Sequence, residues 1–328
     1  MCDTPGMKRP TWLLAAGLGA LAALSPSVVL AHGAGPAAPT FPGILAQWEF
    51  DPLFVIPMMV IAWAYAAGVG RVRRRTPRSP FPRRRIGFFY GGIAVVVIAI
   101  ASPVARYDTD LFAVHMIQHM LLISLAAPLI ALGAPITLAL RVASPQTRKA
   151  ILLPILHSRI ARAISWPVFT WAFLTGTLWI THFSPLFNEA LENEWLHRGE
   201  HVWYLTAALL FWWPAVAADP GPWRLSHVLR LLYVFLQMPQ QSLLANTIYN
   251  AQNVIFPHYK SIERAWGPSP QMDQELAGVM MWVIGDLFFL VAVICLAVSW
   301  MRHEEREAKR IDRRIDRERA AAQTSTSP

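Results

Sequence analysis

The stretch that decides the fold is the apolar run of residues 113–141, which reads AVHMIQHMLLISLAAPLIALGAPITLALR. It contains no acidic residue, and its only Lys or Arg is the arginine that ends it. A helix of about 20 apolar residues is long enough to cross the hydrocarbon core of a bilayer. Several similar runs, with 55% hydrophobic and 15% charged residues, indicate a helical membrane protein rather than a soluble domain.

Seven membrane spans follow from the apolar runs, because a helix satisfies its own backbone hydrogen bonds in lipid. We predict the spans at about residues 52–70, 86–105, 113–140, 166–183, 201–218, 230–255 and 277–301. The predicted fold class is therefore an all-α membrane protein with seven transmembrane helices after an N-terminal signal sequence.

Basic residues lie almost entirely on one side of these spans. Twenty-three Lys and Arg residues fall within segments 71–85, 141–162, 224–230 and beyond 301, whereas four fall on the opposite side. The positive-inside rule then predicts the N-terminus outside and the C-terminus inside the cytoplasm. The same distribution explains a net charge of +9 without a nucleic-acid partner, since arginines beside apolar runs orient helices and attract lipid headgroups.

The first 31 residues resemble an export signal, with a short basic segment, a short apolar stretch and small residues before a cleavage point. Cleavage after Ala31 makes His32 the first residue of the mature chain, and an uncleaved eighth membrane helix is the alternative. The remaining chain is expected to divide into an extracytoplasmic segment 32–51, a seven-helix membrane domain 52–301 and a charged cytoplasmic tail 302–328. The predicted location is the bacterial cytoplasmic membrane.

Six histidines are predicted to lie at the outer level of the membrane. His115 and His119 stand four residues apart, so one helix face carries both, with Cβ atoms about 5 to 6 Å apart. The topology brings His182, His197 and His201 to the same outer level from two further helices, and His258 lies there in the loop before the last span. Imidazoles that reach one depth from three helices can assemble a metal site between those helices. The alternative is that they are ordinary interfacial side chains.

Sulfur ligands and an amino-terminal histidine extend this prediction. Met116 and Met120 directly follow the paired histidines, although each lies one position off the histidine face. Imidazole and thioether together favour copper over harder metals, and a free amino-terminal His32 offers a second route to copper through its amine and ring nitrogen. We expect an outward-facing copper site formed by His115, His119, His182 and His201, with Met116, Met120 or His197 assisting exchange.

Neither cysteine is placed to bind a metal, because Cys2 would leave with the signal and Cys295 lies in the inner half of the last span. Nitrogen, thioether and carboxylate ligands must therefore hold any bound ion. Asp286 lies inside the last predicted span, where an ionisable residue requires a partner or a function. It could orient a ligand histidine, relay protons or form a structural pair.

Taken together, these segments resemble the polytopic cytochrome c oxidase assembly factor CtaG family. The resemblance covers about residues 45–302 and is carried by residues 113–141, Thr181-His182-Phe183, the passage 197–214 and residues 273–282. It implies a seven-helix protein of the cytoplasmic membrane that helps a haem–copper oxidase to mature by handling copper. By position, the family's histidine pattern falls on His115, His119, His182, His197 and His201.

The expected function is to bind copper at an extracytoplasmic histidine site and to assist its delivery to the oxidase. Oxidase subunits or a copper chaperone are the expected partners, with membrane lipid around the helices. Three other classes remain open: a haem-binding electron carrier with two axial histidines, a copper transporter, and a scaffold for oxidase subunits. No set of acid, base and nucleophile is evident, so we do not expect an enzyme.

Overall fold

The computed structural model describes residues 38–40 and 42–325, and all regular structure in this part of the chain is helical. The predicted signal sequence and His32 lie outside the described residues. The main helices are α1 (Pro52–Arg75), α2 (Arg83–Ala101), α3 (Phe112–Met120), α4 (Pro167–His182), α5 (Glu194–Val216), α6 (His227–Phe235), α7 (Gln237–Tyr249) and α8 (Pro270–Ser325). The all-α class is confirmed.

The helix that carries the paired histidines continues beyond α3. A π-helical turn, Leu121–Ala126, leads into Ala127–Leu132, and Pro135–Val142 follows after a bend. Pro128 has no backbone N–H, so it cannot make the hydrogen bond that a regular α-helix needs there. The wider turn accommodates this missing bond.

Four helical segments are long and apolar enough to cross a membrane: Pro52–Arg75, Arg83–Tyr107, Phe112–Val142 and Pro270–Glu318. The other three predicted spans correspond to helices that are shorter, more polar or interrupted. α4 has 16 residues, so at 1.5 Å per residue it covers about 24 Å of a hydrocarbon core about 30 Å thick.

The fifth and sixth predicted spans depart from regular apolar helices in different ways. α5 begins with the charged residues Glu194, Arg198 and Glu200 in its first two turns. The sixth span is divided at Leu236 into α6 and α7, because Pro239 lacks the N–H that would bond the last turn of α6. The seven-span topology and its orientation stay predictions.

Large apolar side chains cover the outside of the bundle as well as its core. On α1, Trp63 is 72% exposed and Met59 is 65% exposed, and exposed apolar side chains also lie along α4 and α8. An apolar surface of this extent marks a contact with membrane or another protein. Together with the four long apolar helices, it indicates that the chain is a membrane protein.

Two glycines allow helix backbones to approach closely, as small residues do in membrane bundles. A Cβ atom on Gly92 of α2 would lie 2.7 Å from Cγ1 of Ile130 and 2.9 Å from its backbone nitrogen. A Cβ on Gly278 of α8 would lie 2.9 Å from Cβ of Tyr249 on α7. These contacts pack α2 against the helix Ala127–Leu132 and α7 against α8.

Candidate metal centre

Five histidines meet at one end of the helix bundle. His115 and His119 come from α3, His182 ends α4, and His197 and His201 lie near the start of α5. Four of the five are buried, whereas the His197 side chain keeps 14% of its surface exposed. We call these five residues the histidine cluster.

The imidazole rings of the cluster are in continuous contact. Ring centroids lie 4.3 Å apart for His115 and His119, 4.5 Å apart for His197 and His201, and 5.5 Å apart for His115 and His197. The His119 ring lies 6.4 Å from that of His182 and 6.3 Å from that of His201. The structure therefore brings together five of the six histidines that the sequence placed at the outer level, whereas the sixth, His258, donates from Nε2 to the Thr109 carbonyl at 2.9 Å.

Most ring nitrogens of the cluster have no hydrogen-bond partner. Both nitrogens of His115, both of His119 and the Nε2 atoms of His182 and His197 are buried without one. An unsatisfied buried polar group costs about 1–3 kcal/mol, and such groups are rare in native proteins. A metal ion among the rings would use these lone pairs, and imidazole is a suitable ligand for copper. The residues present therefore fit a copper ion.

Hydrogen bonds at the edge of the cluster determine which nitrogen can act as a ligand. Nδ1 of His182 lies 2.7 Å from the Leu178 carbonyl and donates to it, which leaves the Nε2 lone pair free. The Gln118 amide nitrogen donates to the Ala99 carbonyl at 2.9 Å, so its Oε1 accepts from Nε2 of His201 at 2.8 Å. Nδ1 of His201 is then the available ligand atom. Such outer partners orient metal ligands in proteins.

Two buried carboxyl groups join the histidine cluster, and sequence analysis missed both. Oε2 of Glu200 lies 3.9 Å from Nε2 of His115, and Oδ2 of Asp108 lies 3.6 Å from Nε2 of His197. Two groups of three ligand atoms lie within 4.8 Å of one another: Asp108, His197 and His201, and His115, His197 and Glu200.

A signal for one of these carboxyl groups was present in the sequence. Glu200 follows His197 by three positions, which places both side chains on one helix face. Asp108 gave no such signal, because it belongs to the connection before α3 and only packing brings it to the cluster.

The environment of Asp108 favours its neutral form. Burial raises the pKa of Asp108 to about 8, because a charged carboxylate is poorly solvated there. Hydrogen bonds from the Gln118 side chain and from the Thr109 backbone act in the opposite direction. Gln118 thus contacts two members of one ligand group, Asp108 and His201.

The predicted sulfur ligands lie in the hydrophobic core. Met116 and Met120 are 0% and 2% exposed within the largest apolar cluster. The Met120 sulfur accepts a hydrogen bond from Nε2 of Gln241 on α7 at 3.5 Å. Asp286 accepts a hydrogen bond from the Ser242 hydroxyl at 2.6 Å, whereas its Oδ1 atom is buried without a partner, so its three considered roles stay predictions.

The first turn of α3 is held by the last helix of the chain. The Asp273 carboxylate of α8 accepts hydrogen bonds from the backbone nitrogens of Phe112 at 2.8 Å and Ala113 at 3.2 Å. Arg264 pairs with the same carboxylate at 3.4 Å, and both side chains are almost fully buried. Asp273 therefore caps the helix that carries His115, a role usually filled by the residue just before a helix.

Long apolar helices with a buried imidazole and carboxyl cluster at one end define a helical membrane protein with a candidate metal centre. A family model described as cytochrome c oxidase caa3 assembly factor matches residues 63–303, and the chain belongs to this family. The resemblance found in the sequence is confirmed.

Relatives of this chain are found in mycobacteria. Uncharacterised proteins of Mycobacterium bovis and Mycobacterium tuberculosis are each 31% identical to it over 288 residues, and one of Mycobacterium leprae is 29% identical over 289 residues. Each alignment covers 86% of this chain and 43% of the relative. The chain therefore spans less than half the length of these curated relatives. No solved structure matches the chain.

Proposed function

We propose that this assembly factor binds a copper ion at the histidine cluster and assists its delivery to a haem–copper oxidase. Membership of the oxidase assembly family supports the connection to the oxidase. One observation carries the copper assignment: buried ring nitrogens without partners converge from α3, α4 and α5. The chain's role is to hold and transfer the ion rather than to catalyse a reaction.

The predicted topology gives this role a direction. With seven spans, the N-terminus outside and the C-terminus in the cytoplasm, the cluster lies at the extracytoplasmic end of the bundle. His197 is the most exposed member of the cluster, so it is the natural first contact for an incoming or departing ion. A copper chaperone or an oxidase subunit outside the membrane would exchange copper there.

Ligands from separate helices also suit transfer better than permanent storage. α5 supplies His197 and His201, whereas α3 supplies His115 and His119. A small movement of α5 relative to α3 would therefore remove ligands from the ion together. A site built within one helix would lack this means of release.

The ring packing argues against a haem group held by His115 and His119. Two axial histidines must lie on opposite faces of the haem macrocycle. The rings of His115 and His119 pack edge to face at 4.3 Å, and the Phe187 and Tyr204 rings lie 4.9 Å and 4.2 Å from them. This packing leaves no space for a macrocycle between the two imidazoles.

Metal analysis of detergent-purified protein tests the proposal. After copper loading and desalting, the wild type should retain copper, and a His115→Ala/His119→Ala double variant should lose most of it. His157→Ala is the matched control, because this histidine is exposed and lies outside the cluster. Unchanged copper stoichiometry in the double variant would overturn the assignment.

A cellular experiment separates copper delivery from a scaffold role. In cells that lack the native gene, the control variant should restore the copper content of the oxidase and the double variant should not. Full restoration by the double variant would favour a scaffold that assembles oxidase subunits without handling copper.

A further inference from the structure

The carboxyl groups of Glu200 and Asp108, beside the histidine cluster, indicate which oxidation state of copper the centre accepts. The separations are 3.9 Å between Oε2 of Glu200 and Nε2 of His115, and 3.6 Å between Oδ2 of Asp108 and Nε2 of His197. Hydrogen bonds between nitrogen and oxygen are about 2.7–3.2 Å long. Both pairs therefore face each other at a distance that is too long for a direct hydrogen bond.

An ion between the partners accounts for these separations. Zinc-type divalent ions bind imidazole nitrogen and carboxylate oxygen at about 2.0–2.2 Å, so two ligands of one ion lie about 3.3–3.6 Å apart at a tetrahedral angle and at most about 4.3 Å apart. The 3.6 Å separation of Asp108 and His197 matches the tetrahedral spacing, and the 3.9 Å separation of Glu200 and His115 lies within the reach of one ion. Each carboxyl and its histidine can therefore bind one ion between them.

Three of these four atoms lack any hydrogen-bond partner. Oε2 of Glu200, Nε2 of His115 and Nε2 of His197 are all buried without a hydrogen bond. In the described part of the chain, the ion pairs of Glu200 and Asp108 are with histidines, and neither carboxyl pairs with a lysine or arginine. A divalent cation would supply the positive charge that these buried carboxyl groups otherwise lack.

The sulfur atoms of Met116 and Met120 are not placed as ligands beside these nitrogen and oxygen atoms. The Met120 thioether is engaged by Gln241 of α7, and Met116 is one helix position, about 100°, away from His115. Thioether ligands select Cu⁺, whereas imidazole also suits divalent copper and carboxylate oxygen suits harder ions. The ligand atoms that converge here are nitrogen and oxygen.

We infer that the centre takes its copper as Cu²⁺ on nitrogen and oxygen ligands, with Glu200 and Asp108 as ligands beside His115, His197 and His201. This inference rests on the proposed function, because it specifies the oxidation state of the same cargo and adds two ligands. His197 belongs to both ligand groups, so it stays bound whichever carboxylate holds the ion.

Chelator competition with each oxidation state tests the inference. Detergent-purified full-length protein is titrated with Cu²⁺ in air and with Cu⁺ under anaerobic, reducing conditions. Glu200→Gln and Asp108→Asn should each lower the Cu²⁺ affinity at least about tenfold and leave the Cu⁺ affinity unchanged. Met116→Leu and Met120→Leu should leave the Cu²⁺ affinity unchanged.

Two controls keep the test independent of folding. Glu192→Gln removes an exposed carboxyl group outside the cluster and should bind Cu²⁺ like the wild type. The metal-free Glu200→Gln protein should melt no earlier than the wild type, because Oε2 of Glu200 has no hydrogen bond to lose. Electron paramagnetic resonance of the Cu²⁺ form should change in both carboxyl variants and stay unchanged in the control.

The outcomes separate this inference from the proposed function. One result would be copper binding that depends on His115 and His119 and yet is unaffected by Glu200→Gln and Asp108→Asn. That result would overturn this inference and leave the proposed function standing. Tighter binding of Cu⁺ than Cu²⁺ that depends on Met116 or Met120 overturns it as well. Failure of the wild type to retain copper in either oxidation state overturns the proposed function itself.

Discussion

Gln118 fixes which nitrogen of His201 carries the proton. Its amide nitrogen donates to the Ala99 carbonyl, so its amide oxygen must face Nε2 of His201, at 2.8 Å. A Gln oxygen only accepts hydrogen bonds, and Nε2 of His201 is therefore the donor. The same side chain also hydrogen-bonds Asp108. One amide thus orients two candidate ligands from different parts of the chain.

Removing this amide should weaken copper binding without changing any ligand. We expect Gln118→Leu to lower copper affinity about 10–100-fold, the usual effect of losing an outer partner of a metal ligand. The measurement is a chelator competition titration. Gln271→Leu is the matched control, since this residue also donates to a carbonyl, that of Ala251, outside the cluster. Equal affinities of both variants would contradict an orienting role for Gln118.

The buried Arg264–Asp273 pair should be a large contributor to stability. Asp273→Ala removes both hydrogen bonds to the first turn of α3 and leaves the Arg264 charge without its partner. Breaking a buried ion pair on one side costs about 3–5 kcal/mol. We expect a marked fall in melting temperature in detergent.

An exposed ion pair provides the comparison for Asp273→Ala. Glu307→Ala breaks the exposed Arg310–Glu307 pair and should change stability by at most about 1 kcal/mol. Asp273→Asn keeps an oxygen acceptor for α3 and should melt between the wild type and Asp273→Ala. Similar melting of Asp273→Ala and Glu307→Ala would argue against the capping role.

Two adjacent glycines of α2 should respond oppositely to the same substitution. Gly92→Ala forces a Cβ against the Ile130 backbone, which cannot move without shifting its helix. We expect a loss of about 1–3 kcal/mol, as for other overpacked sites. In Gly91→Ala the new Cβ finds only an ordinary contact at 3.9 Å. That variant should be neutral or more stable by up to about 1 kcal/mol, because alanine favours helix.

Thermal unfolding in detergent, followed by tryptophan fluorescence, measures both glycine variants. A melting temperature of Gly92→Ala at or above that of Gly91→Ala would mean that α2 is not packed on Ile130 as described.

Bound copper should stabilise the fold. A ligand that binds only the native state at 100 times its Kd adds about 2.7 kcal/mol to the free energy of unfolding. The melting temperature of the wild type should therefore rise with copper and fall again with a chelator. The His115→Ala/His119→Ala variant should show neither change. An equal rise in both proteins would point to copper binding outside the cluster.

Apolar composition predicted much of the fold. Four of the predicted spans correspond to helices that are long and apolar enough for a bilayer, because length and hydropathy are local properties of the sequence. The break at Leu236 also has a local cause in Pro239, although the apolar run alone indicated one continuous span. The shortness of α4 follows from the turns at both of its ends, which an averaged hydropathy does not resolve.

The candidate site was predictable where spacing and topology determined it. The i, i+4 spacing of His115 and His119, and the common depth of three other histidines, predicted their convergence. Asp108 and Asp273 were not predictable, because their roles depend on how a connection and the last helix pack against α3. An acidic residue in a connection ordinarily indicates solvent exposure, so nothing in the sequence indicated that Asp108 is buried beside the histidines.

The capping of α3 by Asp273, a residue of another helix, limits how this centre can be rebuilt in a designed protein. A synthetic bundle copied from α3, α4 and α5 alone would contain every imidazole, yet the leading turn of its histidine helix would have no anchor. A designed bundle of this kind must also include the Arg264–Asp273 pair, or an engineered cap that replaces it.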